Sequence, residues 1–116
     1  MSLRAKLGRA VAVLALAGLP APSAAQEHPV QRVAYIVSVA VEEYKKGIDG
    51  QSRVISADEY QEAIEFLADA RRVSERLPRE RAQASVPVLD SIIAAVAAKR
   101  PPQELEVLSR RFAATL

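Results

Sequence analysis

From Pro29 to the end of the chain, apolar residues return every three or four positions, and prolines interrupt them at Pro78, Pro87 and Pro101-Pro102. That period puts the apolar side chains on one face of an α-helix, and an interior proline stops or bends a helix. The chain is therefore restricted to several short amphipathic helices that bury their faces against one another. Val54-Ile55 is β-branched, but two residues are too few for a strand.

The first helix is expected over Pro29 to Lys46, with Val33, Ile36, Val37, Ala40 and Tyr44 on its apolar face and Gly47 as its C-cap. Ile48 to Ile55 is a connection with an Asp49-Gly50 turn signal. The second helix has the best-marked start. Ser56 can cap it, Glu59 three residues on can complete a capping box, and Ile55 can staple against Tyr60. Its stripe runs through Ala63, Ile64, Phe66, Leu67, Ala70 and Val73 to Leu77. A third helix carries Leu89, Ile92, Ile93 and Val96, with Ser85 as a candidate cap and Pro87 in its first turn. Arg79 to Val86 reads either as a separate turn or as an earlier part of that helix. Leu105, Leu108 and Phe112 mark a fourth, short helix. The expectation is an all-α fold, a small antiparallel bundle of about four helices arranged as two helical hairpins. With alanine abundant and only three tyrosines and two phenylalanines, close packing leaves little room for a large internal cofactor.

Residues 1–25 read as a signal peptide and 26–116 as the helical domain. Arg4, Lys6 and Arg9 precede an apolar run, Ala10 to Leu19, that is about half the length of a membrane span. The Ser23-Ala24-Ala25 ending has the small residues of a processing site. The reading is export to the periplasm or extracytoplasmic envelope, with membrane contact only through a partner or an uncleaved leader. Of 116 residues none is cysteine, so no disulfide or thiolate site exists and stability must come from packing. Without the leader, 13 Lys plus Arg face 14 Asp plus Glu, a net −1 that gives no reason to expect a nucleic-acid partner. His28 is the single histidine and reads as part of a disordered start. No nucleophile, metal triad or phosphate loop is present, so the chain is read as a non-enzyme.

The carboxylates carry what chemistry there is. Asp58, Glu62, Glu65 and Asp69 fall within a band about 60° wide on the second helix. Such a row either collects a hard cation or forms a solvated face paired with Arg72 and Arg76. Glu43 and Glu59 differ, because each borders an apolar face and an antiparallel hairpin brings both to one end. Held together they repel, so one keeps a proton or a cation sits between them. The capping box is the competing account of Glu59, and contact with Lys46 or Arg53 is that of Glu43. Tyr44 and Tyr60 read as core or rim aromatics with wet hydroxyls.

The stretch Glu43-Tyr44-Lys45-Lys46-Gly47-Ile48, the Gly50 turn, and Arg53 through Ala63 with Phe66 following resemble the extracytoplasmic N-terminal helical region of FTR-type high-affinity iron permeases, including cytochrome c-containing members. The permeases' Arg-Glu-x-x-Glu motif is missing, since Gln83 stands three residues after Arg79-Glu80. The resemblance implies a periplasmic accessory domain linked to iron uptake, alone or within a longer precursor. Its implied partner is an iron permease or cytochrome-type envelope protein. Iron is the implied ligand, on Glu43, Glu59 and Glu62. The alternative is a structural or protein-interaction module of the envelope with no metal role.

Overall fold

The computed structural model describes residues 21–116, with side chains described from His28 onward. Four helices follow in order: α1, Ala21–Gly47; α2, Ala57–Glu75; α3, Arg79–Ala97; and α4, Pro102–Ala114. Each packs on the next, and α4 closes back on α1. The Arg71–Asp90 and Tyr60–Val96 contacts between α2 and α3 run in opposite directions along the two helices, and Lys45 near the end of α1 meets Glu106 near the start of α4. The bundle is antiparallel. Its core joins one stripe from each helix: Val33, Val37, Ala40 and Tyr44; Ala63, Leu67 and Ala70; Leu89, Ile92 and Val96; Leu105 and Phe112. No helix among the described residues is long and apolar enough to cross a membrane.

Several local expectations change. Helix α1 starts at Ala21, so Pro29 lies inside it and His28 is helical. Alanine-rich sequence upstream favours the helix, and Pro22 falls in its first turn, where a missing N–H is tolerated. The expected leader lies outside the described residues except for Ala21–Ala25, which form the first turns of α1. Helix α3 is continuous from Arg79, with Pro87 in its interior. Ser85 is therefore no cap. It is buried, and its hydroxyl donates to the Arg81 carbonyl at 2.7 Å, one turn back. Ile55 is 61% exposed rather than stapled onto Tyr60.

Gly47 does not end α1 in the left-handed conformation, since no glycine among the described residues has positive φ. Its requirement is space. A Cβ there would lie 2.6 Å from the Tyr60 nitrogen and 3.1 Å from the Ser56 carbonyl oxygen. The start of α2 rests directly on this glycine, whose carbonyl accepts from the Ile55 and Ser56 amides at 2.8 and 3.3 Å. The intervening loop is pinned by Asp49, whose Oδ1 accepts from the amides of Gln51 and Arg53 at 2.9 and 3.0 Å. One antiparallel bridge, Ile48 to Val54, is all the sheet-like pairing among the described residues.

Candidate metal centre

Ser56 caps α2, its hydroxyl accepting from the Glu59 amide at 3.4 Å. The reciprocal half of the capping box does not form. The Ser56 amide, which the Glu59 carboxylate would have satisfied, donates to the Gly47 carbonyl instead. The Glu59 side chain is thereby released towards α1, where Glu43 lies half-buried on the facing turn.

Glu43, Glu59 and Glu62 come together at this end of the bundle, each offering a carboxylate oxygen within 4.8 Å of the other two. Glu62 is exposed and opens the cluster to solvent. Oε2 of Glu43 is fully shielded from solvent and has no hydrogen-bond donor, while Oε1 meets the Lys46 ammonium at 3.6 Å. Arg53, the other cation expected near Glu43, pairs with Asp49 at 2.9 Å.

Three carboxylates this close cannot all stay ionised. The hydrogen bond shared with Glu43, together with burial and the negative charges of Glu43 and Glu62, pushes Glu59 up to about 7. The same shared bond holds Glu43 below the usual carboxylate range despite its burial, with Lys46 helping. A proton on Glu59 supplies the donor that Glu43 otherwise lacks. A cation can replace that proton. Three oxygens no more than 4.8 Å apart lie within about 2.8 Å of a common centre, so an inward movement of at most about 0.2–0.8 Å brings them into the 2.0–2.6 Å range of hard-cation ligands.

The rest of the acidic row on α2 does not join this cluster. Asp58, Glu65 and Asp69 are exposed, and Asp69 pairs with Arg72. They form the solvated face.

The two tyrosines fix this end more firmly than wet hydroxyls would. Tyr44 is fully buried and donates to the Arg100 carbonyl at 2.6 Å; Tyr60 donates to the Val96 carbonyl at 2.8 Å. Burial, followed by the charges of Tyr60 and Glu104, raises the Tyr44 phenol to about 12, so it remains a donor. The Val96 acceptor is in the last turn of α3 and the Arg100 acceptor just beyond it, where the helix closes with a left-handed Lys99 (φ 55°), an Arg100 amide bonded to the Ala95 carbonyl and a Lys99 amide bonded to that of Val96. This is a Schellman turn with lysine where glycine is usual. Lys99 in turn sits 5.3 Å from the centre of the Tyr60 ring. The carboxylate-bearing hairpin is thus tied to the α3–α4 connection by two hydroxyls whose acceptors lie on backbone far away in sequence. Residue types alone do not reveal such partners.

Residues 20–114 match the iron permease-associated 4-helix bundle domain. The chain belongs to that family. The four helices of the described residues pack into a bundle, and a 4-helix bundle is what the family description names. No curated protein and no solved structure matches it.

Proposed function

We propose that this member of the iron permease-associated family is an exported accessory domain of an iron-uptake system, and that Glu43, Glu59 and Glu62 hold an iron ion as cargo. The observation that carries the reading is the convergence of three carboxylates from two helices around a buried oxygen with no donor. An all-oxygen, anionic donor set suits a hard cation, and the family's association with iron permeases supplies the cation's identity. The exposed Glu62 receives the ion, Glu43 and Glu59 complete its shell, and the proton on Glu59 leaves as the ion enters. Reprotonation favours release. The domain would hand its cargo to a permease or a cytochrome-type redox partner at the same end of the bundle. The basic start, apolar run and small-residue ending of residues 1–25 support export.

Calorimetric titration of the full chain with ferrous iron under anaerobic conditions, and with manganese as a redox-inert substitute, tests the ligand set. Glu43→Ala and Glu62→Ala are expected to weaken binding at least tenfold, and Asp58→Ala to leave it unchanged. Identical titrations for all four proteins would remove the iron reading.

A further inference from the structure

At the opposite end of the bundle, α1 and α2 enclose a concavity of about 370 Å3 lined by His28, Pro29, Arg32, Val73 and Arg76. His28 and Arg32 are one helical turn apart on α1 and so share a face. Arg76 lines the same hollow from the end of α2, and Pro29 and Val73 add apolar surface to its lining. Among the described residues, none of His28, Arg32 and Arg76 forms an ion pair, whereas Lys45, Arg53, Arg71, Arg72 and Arg100 each have a carboxylate partner. Charge around the hollow leans basic: residues 27–33 and 75–82 carry Arg32, Arg76, Arg79 and Arg81 against Glu27, Glu75 and Glu80, and Glu75 already pairs with Arg71.

We infer that this hollow binds a phosphate group. Two guanidinium forks match phosphate oxygens in charge and geometry, the imidazole adds an N–H donor, and the volume admits a phosphate carried on a larger group. The carbonyl end of α2 contributes roughly half a negative charge, which the two arginines outweigh. Arg32 and Glu43 are eleven residues apart on one helix, about 16 Å along its axis. A phosphate surface held at the basic end therefore leaves the carboxylate cluster facing away from it. The inference does not depend on metal binding by that cluster.

The test titrates inorganic phosphate into the full chain at low ionic strength and, separately, measures co-sedimentation with phosphatidylglycerol vesicles and with phosphatidylcholine vesicles. The proteins are wild type, Arg32→Gln/Arg76→Gln, and Arg79→Gln/Arg81→Gln, which loses the same charge at the same end but outside the hollow. Far-UV circular dichroism confirms that each is folded. Removing the two arginines of the hollow should weaken phosphate binding at least tenfold, since each supplies a charge-assisted contact. The outer pair should change it less than threefold. If vesicle binding is specific to phosphatidylglycerol and falls in the same variant, the ligand is a lipid headgroup. Phosphate binding without arginine-dependent vesicle binding assigns a free phosphate. No phosphate binding together with equal vesicle binding by all three proteins, or equal losses in the two double variants, would overturn the inference.

Discussion

Replacing Gly47 by alanine tests how the carboxylate end is built. The added Cβ would sit 2.6 Å from the Tyr60 nitrogen, 3.0 Å from its Cα and 3.1 Å from the Ser56 oxygen, all of them backbone atoms. Ordinary contact begins near 3.4 Å, so the first turn of α2 must retreat by about 0.8 Å. Overpacking of this kind costs about 1–3 kcal/mol, and a helical glycine-to-alanine change returns about 0.5–1 kcal/mol. The two ranges leave a net loss of about 0–2.5 kcal/mol, centred near 1 kcal/mol, and each kcal/mol lowers Tm by roughly 4–8 °C in a domain of this size. The same retreat draws Glu59 away from Glu43 and should weaken manganese binding. Gly50→Ala is the control. A Cβ at Gly50 meets nothing within 4 Å, and the change should stay within about 0.5 kcal/mol of wild type. Thermal and urea unfolding followed by circular dichroism compare the two. A Gly47→Ala protein more stable than wild type, as an unconstrained helical glycine would allow, refutes the close-approach argument.

Three further outcomes follow from the same end of the bundle and from one buried hydroxyl. Glu59, raised to about 7, binds its proton more tightly folded than unfolded, so its contribution is present below the ordinary carboxylate range and is lost as pH rises through 7. Glu43, held low, acts oppositely, its contribution being lost only as pH falls below the ordinary range. Glu59→Gln should therefore flatten the fall in urea-unfolding stability between about pH 4.5 and 7, and parallel profiles would contradict the shared-proton account. Tyr44→Phe leaves the Arg100 carbonyl without its donor and should cost about 1–2 kcal/mol, whereas Tyr60→Phe should cost less because Val96 still accepts from Lys99; equal losses in thermal melts would count against this difference. Ser74 is fully buried in α2 with an unpartnered hydroxyl, so Ser74→Ala should be neutral or stabilise by up to about 1 kcal/mol, and a clear loss would reveal a bond to that hydroxyl.

The apolar period and the prolines were enough to fix the helical class and the four-part order, because burial of one face per helix leaves little alternative. The approach of Glu43 and Glu59 was also legible, since both border apolar stripes and flank one short loop. Glu62 is visible as part of the acidic row and joins Glu43 and Glu59 through the family resemblance alone; from the row itself its separation from Asp58, Glu65 and Asp69 is not legible, because it depends on where α1 crosses α2. Gly47 looked like a cap because caps leave a sequence mark and close backbone approach does not. Ser85 carried a cap's identity, yet it sits where helix packing tolerates Pro87 and a hydroxyl can turn back to the preceding carbonyl. Lys99 gave no sign of a left-handed turn, a position usually betrayed by glycine. His28 beside Pro29 resembled a loose terminus, and its juxtaposition with Arg76 arises only through the pairing of α1 with α2.

The most direct measurement is the number of protons released when manganese binds the full chain at pH 6.5, obtained by calorimetry in two buffers of different ionisation enthalpy. With Glu59 raised to about 7, more than half of the molecules carry the shared proton at that pH, and binding should release between one half and one proton per ion. Glu59→Gln should abolish the release and weaken binding. Tight binding with no proton release, or release unchanged in Glu59→Gln, would contradict the claim that Glu43, Glu59 and Glu62 form a centre that exchanges a proton for a metal ion.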